Sequence, residues 1–369
     1  MIYLLLALGA AAAAYQLLAL IAALLRLAAR EPRAHTLPPV SILKPVHGLD
    51  PGFYESIRSH ALLDYPEFEV LFGVSDPDDP AIAEIERLTA EYPSVAIRLL
   101  RGAQPAPNRK VGVLERLAAE ARYPLLVVND SDIRVPRNYL KRIVAPLEDP
   151  NVGMVTCLYR ARARRLAGRF EAVGIATDFT PGVLVAPLVG VSEFALGSTL
   201  AFRASDLARA GGFAAVAAYI ADDYQLSRRI RDLDLRVVIS KCVVETSVPD
   251  TTWAGMWRHQ LRWARTIRLS RGGGYLGLPI ANATLWALLL ALAGAWWAAL
   301  PLFALRLVSG LTTALFVLGD TRSLSWAFLI PARDLAGLPL WLAGLFGSTV
   351  VWRDATLRLD RNGKIVGTT

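Results

Sequence analysis

Three acidic clusters stand where short apolar runs stop. Leu125-Leu126-Val127-Val128 runs straight into Asn129-Asp130-Ser131-Asp132. Two carboxylates two residues apart, leaving a buried strand, can converge on one divalent cation and its phosphates, because Mg2+ and Mn2+ favour oxygen ligands. The competing reading is a solvated turn, since Asp and Ser are good turn formers. Residues 69–74 end similarly in Ser75-Asp76-Pro77-Asp78-Asp79. Asp79 before Pro80 has the form of a helix cap with proline at the first helical position. Asp76, nearest the strand end, is placed either to take hydrogen bonds from a nucleotide or to belong to that capping cluster. The third cluster, Ala221-Asp222-Asp223-Tyr224, precedes a basic helical run at 227–232. One carboxylate there can cap the helix, and an adjacent second one is redundant as a cap and suits a general base.

A fourth constellation is Trp257-Arg258-His259-Gln260-Leu261-Arg262-Trp263. Trp and Arg are enriched at membrane–water boundaries, so an interfacial amphipathic helix is one reading. An Arg fork beside a Trp also suits a diphosphate next to an acceptor. The two readings are compatible.

These residues need a scaffold, and the pattern supplies one. β-rich runs at 40–43, 69–74, 95–100, 125–128 and 152–156 alternate with helical patterns at 51–62, 79–92, 110–122 and 136–147. Such alternation predicts a mainly parallel, doubly wound sheet, whose ligands lie beyond the carboxyl ends of its strands. Cys157 and Cys242 sit in apolar surroundings without metal-type spacing and read as reduced, buried thiols.

Composition says that this soluble unit has company. The 369 residues are 54% hydrophobic yet 20% charged, too apolar for a soluble domain and too charged for lipid alone. Residues 2–25 carry no charge, against the ~20 residues a helix needs to cross a bilayer. Arg26, Arg30 and Arg33 follow at once, which puts the next segment in the cytoplasm by the positive-inside rule. From 275 to 319 the one charge is Arg306, a helical hairpin of two spans. A third stretch, 324–352, is interrupted by Pro331, Arg333 and Asp334 and reads as spanning, re-entrant or interfacial. Gly182 to Val191 reads as an apolar loop, a rim for a lipid, or equally as a buried strand pair. The basic run Arg160, Arg162, Arg164, Arg165 and Arg169 meets either anionic lipid or water. The net charge of +8 fits a membrane-facing, diphosphate-binding surface, and no base-reading motif supports nucleic-acid binding.

Taken in order, Asp76 in SDPDDPA, Asp130-Ser131-Asp132 in NDSDIRV, Asp223 in IADDYQL and His259–Trp263 as HQLRW resemble the D, DxD, D, (Q/R)xxRW series of membrane glycosyltransferases with a GT-A fold. Ser41-Ile42-Leu43-Lys44-Pro45-Val46-His47-Gly48 and Asp64-Tyr65-Pro66 narrow the likeness to ceramide glucosyltransferase and its bacterial relatives, glycosyltransferase family 21 within the family 2 superfamily. The dialect is nearer to the bacterial branch that adds N-acetylglucosamine to hopanoids than to animal ceramide enzymes. The resemblance covers roughly 38–270. It departs at His259, where the series has Gln or Arg, although Gln260 is adjacent.

The resemblance implies an α/β GT-A catalytic domain plus transmembrane α-helices. Residues 1–33 would be a membrane helix with its basic flank, 34–250 the cytoplasmic catalytic domain and 251–274 the interfacial helix. Residues 275–352 would be the hairpin with the third segment, and 353–369 a polar tail. It implies an inverting transfer of glucose or N-acetylglucosamine from a UDP-sugar to a lipid hydroxyl, at a bacterial inner membrane. Asp76 would contact uridine, and Asp130 and Asp132 would hold sugar nucleotide and Mg2+ or Mn2+. Asp223 would be the base. His259, Gln260, Arg262 and Trp263 would contact diphosphate and acceptor, and Lys110, in Asn108-Arg109-Lys110, would contact phosphate, with Lys44 a weaker candidate. A processive polysaccharide synthase shares the motifs but needs a channel that few spans would build. A phosphohydrolase would use the same carboxylates, and a transporter or scaffold would bury ionisable residues in its spans.

Overall fold

The computed structural model describes residues 1–192, 194–248, 252–352 and 355–368. The boundary expected at 250–251 and Arg353 of the expected tail lie outside these residues. A first helix, α1 (Ile2–Ala28), leads into strands β1 (Val40–Val46), β2 (Phe68–Val74), β3 (Ala96–Arg101), β4 (Leu125–Val128) and β5 (Val152–Arg162). Two further strands, β6 (Leu200–Arg203) and β7 (Arg236–Ser247), complete a seven-stranded sheet of order β3-β2-β1-β4-β6-β5-β7. β3, β2, β1 and β4 are mutually parallel, β5 is parallel to β7, and β6 alone runs antiparallel to its neighbours.

Strand alternation builds two cores from one sheet, because successive side chains leave opposite faces. Leu125 and Val127 pack with Ile42, Val70 and Phe72, under α2 (Phe53–Ala61), α3 (Ala81–Glu91) and α5 (Tyr139–Val144). Leu126 and Val128 pack with Leu43, Leu71 and Phe202, under α4 (Arg109–Glu120). Burial on both faces is why β4 reads as a continuous apolar run. Helix starts differ slightly from expectation. α3 begins at Ala81, so Pro80 precedes it, and Asp79 Oδ1 accepts the Ala81 N–H at 2.9 Å. α5 begins at Tyr139 rather than at Pro136, whose carbonyl accepts the Tyr139 N–H at 3.0 Å.

The segment 182–191 is helical as far as Val189 and turns at Gly190, which corrects both the loop and the strand-pair readings. α6 (Leu166–Gly174), a wide turn at Ile175–Phe179, α7 (Thr180–Val185) and a tight turn at Ala186–Val189 follow one another without a break. Apolar residues on all sides mark a helix that is buried or in lipid. By length and composition, three helices among the described residues could cross a membrane: Ile2–Ala28, Leu166–Val189 and Trp296–Val317. In its most apolar 18-residue stretch Leu166–Val189 has 61% of its residues buried within the protein against 22% for Ile2–Ala28, so it serves as an inner wall.

α8 (Ala204–Arg209), α9 (Asp222–Arg231) and α10 (Trp253–Arg271) lead to the apolar C-terminal part. There α11 (Ala283–Leu292) and α12 (Trp296–Thr312) form the expected hairpin, turning at Gly294, whose φ of 82° is open to glycine. The first arm reaches spanning length only together with Gly273–Ala281, across a 51° bend. After α13 (Arg322–Ser325), α14 (Ile330–Gly344) has 15 residues, roughly 22 Å, short of a bilayer core of ~30 Å.

Instead of crossing at 335–351, the chain leaves α14 and enters β8 (Thr349–Trp352), β9 (Ala355–Leu359) and β10 (Ile365–Thr368). These antiparallel strands replace the expected tail. They dock on the catalytic unit through Ile365 N–H to Ala218 O at 2.7 Å and Ile220 N–H to Gly363 O at 3.2 Å. Ile220, Val350, Leu357, Leu359 and Ile365 share one small core. The C-terminal strands therefore lie against the α/β unit.

Candidate active site

Beyond the carboxyl ends of β1 and β4, a cavity of about 900 Å³ opens between the sheet, α6–α7, α10 and the C-terminal strands. Its floor is the loop after β4. Asn129 anchors that loop, donating to Ser198 O at 2.7 Å and to the Tyr139 hydroxyl at 2.9 Å. Lys44, fully buried on β1, donates to the Asp130 carbonyl at 2.9 Å. Burial pulls its pKa down to about 7, against the opposing pull of Asp132, Asp130 and Asp50. Lys44 thus braces the loop from below and does not line the cavity.

The two loop carboxylates differ. Asp130, 39% exposed, pairs through Oδ1 with Lys110 Nζ at 2.8 Å. Asp132 is held by the Thr246 hydroxyl and the Ser247 N–H of β7. Burial, then the Asp130 charge, pushes its pKa up to about 6. Among the described residues no group of three or more His, Cys, Asp or Glu converges as a metal cage. Two neighbouring carboxylates that repel each other are nevertheless a fitting oxygen-donor pair for a hard cation whose other ligands are substrate phosphates.

Lys110 stands in the first turn of α4 because Asn108 caps that helix, its side chain accepting the Val111 N–H at 3.4 Å. The ammonium also reaches Asp222 Oδ2 at 3.3 Å. Burial works against its charge, but Asp130 and Asp222 outweigh this and hold its pKa above the ordinary lysine value. Asp222 is therefore an ion-pair partner. Asp223, next along the first turn of α9, accepts its neighbour Tyr224 N–H at 2.7 Å and lines the cavity. Burial, then the adjacent Asp222 charge, pushes its pKa up to about 6.

Opposite stands α10. His259, Arg262 and Trp263 line the cavity, with Trp263 5.2 Å from the His259 ring and 5.8 Å from Phe179. Gln260 faces elsewhere. It donates to Glu171 Oε1 at 2.9 Å and accepts from Arg333 at 2.8 Å, tying α10 to α6 and α14. Asp76 also stays apart: it is exposed, and its Oδ1 accepts the Asp78 N–H at 2.9 Å, while neighbouring Ser75 lines the cavity. The structure thus gathers Lys110, Asp130, Asp132, Asp223, His259, Arg262 and Trp263, and leaves Asp76, Lys44 and Gln260 outside the lining.

Glu171, 1% exposed, belongs to none of the sequence motifs, yet its Oε1 lies 2.6 Å from His259 Nδ1. A lone acid in the apolar run Phe170–Ile175 was its signal. Thr246, which holds Asp132, likewise belongs to none of them, because β7 was not among the expected strands.

The chain matches the family model described as Glycosyl transferase family 21 over residues 2–365. It is 27% identical over 208 residues to ceramide glucosyltransferase 1 of Caenorhabditis elegans, covering 56% of this chain and 44% of that one. It is 31% identical over 140 residues to the ceramide glucosyltransferase of Candida albicans, covering 34% of this chain and 26% of that one. The chain therefore spans less than half the length of these curated relatives. Among solved structures, it resembles a mannosyltransferase from Pyrobaculum calidifontis in complex with GDP-Man and Mn2+, with a TM-score of 0.57 and 22% identity, covering 92% of this chain and 98% of that one. That likeness supports the GT-A fold.

Proposed function

The chain belongs to glycosyl transferase family 21, and from that premise we propose that it transfers a hexose, glucose or N-acetylglucosamine, from a UDP-sugar to the hydroxyl of a membrane lipid of ceramide or hopanoid type, with inversion at the anomeric carbon. The observation that carries this reading is the convergence of Asp130, Asp132, Lys110 and Asp223 with Arg262 and Trp263 on one cavity whose far wall is an apolar helix. A polar end for a nucleotide diphosphate and an apolar end for lipid meet in one space.

Asp223 takes the proton from the lipid hydroxyl as its oxygen attacks the anomeric carbon and the bond to UDP breaks. Lys110 and Arg262 bind the diphosphate and offset charge on the leaving group, the electrostatic contribution that usually dominates. A divalent cation, Mg2+ or Mn2+, held by Asp130 and Asp132, would add positive charge to the same diphosphate. Lys44 sets the height of the Asp130 loop. Asp76 and Ser75 would meet the nucleoside at the β2 end, after the exposed Asp76 carboxylate turns inward. α1 and the α11–α12 hairpin would hold the catalytic domain at the cytoplasmic face of a bacterial inner membrane, where the acceptor resides. The interfacial role of α10 follows from the same arrangement.

Mass spectrometry of lipids after incubation of purified protein with candidate acceptors and UDP-glucose or UDP-N-acetylglucosamine tests the proposal. Free UDP with a lipid heavier by one sugar supports it. Free sugar without lipid product indicates hydrolysis, and repeated addition indicates a processive synthase.

A further inference from the structure

Glu171 is a carboxylate in an otherwise apolar wall. Its Oε1 is saturated, facing His259 Nδ1 at 2.6 Å and accepting from Gln260 Nε2 at 2.9 Å. Its Oε2 is buried and meets no hydrogen-bond donor among the described residues. A buried carboxylate oxygen without a donor carries its full desolvation cost, and such atoms are rare unless a water, ion or ligand completes them.

The residues that follow give the direction. Glu171, Ile175, Phe179 and Val183, each four positions after the last, all line the cavity. The wide turn at Ile175–Phe179 keeps that four-residue spacing on one face. Over 12 residues this stripe runs roughly 18 Å, with one polar end and an apolar remainder. Phe179 closes the wall against Tyr159 and Trp263, each at 5.8 Å. The polar end opens on the same cavity as Asp223.

We propose that Glu171 selects the acceptor by taking a hydrogen bond from a second N–H or O–H on the lipid, beside the hydroxyl that is glycosylated, while the chain lies along Ile175, Phe179 and Val183. This rests on the lipid glycosyltransferase reading and deepens it: an amphiphile with an amide N–H or a second hydroxyl is favoured over one with esters alone. His259 and Gln260 hold the carboxylate in place for that contact. A site built around a buried polar group rejects an analogue that leaves the group unpaired.

The experiment uses full-length protein and two matched acceptor pairs: an N-acyl amino-alcohol lipid against its N-methyl amide, and a lipid diol against its mono-O-methyl ether. The wild type should lose about 10- to 100-fold in kcat/KM within at least one pair, the size of a hydrogen bond to a charged group. Glu171→Gln and Glu171→Ala should flatten that discrimination, chiefly through KM, and retain UDP binding, which also reports that they fold. Should both variants fail to bind UDP, Ile175→Trp, which fills the stripe but leaves the carboxylate, should weaken long-chain acceptors more than short ones. Equal use of both members of each pair by the wild type overturns the inference alone. So does unchanged discrimination in a UDP-binding variant, or an Ile175→Trp variant blind to chain length. Absence of lipid product from every acceptor overturns the transferase reading and the inference with it.

Discussion

Asp130 and Asp223 face each other across Gly197: a Cβ placed there would lie 3.5 Å from Asp130 Oδ2 and 3.2 Å from Asp223 Oδ2. The cation-binding carboxylate and the base of the proposed reaction are thus separated by a residue with no side chain. Gly197→Ala should push the Asp223 carboxylate aside by a few tenths of an ångström. Reacting groups tolerate little misplacement, so turnover should fall roughly 10-fold with little change in thermal stability. Steady-state kinetics beside a melting curve check this.

Asp223→Asn keeps the shape of the side chain and removes the base. A positioned base contributes roughly 10²–10⁴-fold, so turnover should nearly vanish while UDP-sugar binding persists. A variant that keeps more than about a tenth of the wild-type rate rules Asp223 out as the base.

Asp223 and Asp132 both have pKa values pushed up to about 6. Each carboxyl is protonated below that value. A protonated Asp223 accepts no proton, and a protonated Asp132 loses its charge for the cation. Activity should therefore rise with pH through about 6 and level off above it. Because the neighbouring acids titrate together, the limb belongs to the cluster. A profile of kcat/KM that stays flat between pH 5 and 7 contradicts the assignment.

Lys110→Met leaves Asp130 and Asp222 facing a buried apolar side chain. Breaking a buried pair costs roughly 3–5 kcal/mol, and the partial exposure of Asp130 puts the expected loss toward the lower end. Adding Asp222→Asn should return part of the thermal stability and none of the donor affinity, since the phosphate contact stays lost. Melting temperature and UDP titration separate the two effects.

Arg306 on α12 clasps Asp334 on α14 with two bonds, 2.8 and 3.0 Å, both side chains nearly inaccessible. Arg306→Leu leaves the Asp334 carboxylate inside the apolar bundle without its counter-ion, a loss of roughly 3–5 kcal/mol. The double change Arg306→Leu with Asp334→Leu should recover most of the loss, because two apolar residues leave no charge unpaired, although the Thr284 hydroxyl loses its carboxylate acceptor. Unfolding in detergent measures both.

Much of the sheet and the site was legible in local pattern. β1 to β5 and α2 to α4 announce themselves by apolar period and by caps such as Asp79, and the Asp76 and Asp130 clusters fall at the ends of β2 and β4 as expected, whereas Asp222 and Asp223 open α9. β6 was not legible. Its four residues Leu200–Arg203 form a strand because β4 and β5 flank them, a condition set far away in the chain. The Asp222-Asp223 pair was legible as two carboxylates with different duties, but which one meets Lys110 depends on how α9 packs against α4.

By itself the sequence determined that apolar helices flank an α/β unit, that carboxylates end two of its strands, and that Trp and Arg gather on the helix between that unit and the apolar C-terminal helices. These follow from local periodicity and residue chemistry, which act within a few residues. The tertiary structure alone decided that 182–189 is a helical wall, that α14 stops short of a crossing, and that the final strands return to Ile220. It also decided that Glu171 meets His259. Each of those outcomes depends on which distant surface is available to cover an apolar face or satisfy a buried charge, and that is known only once the chain has folded.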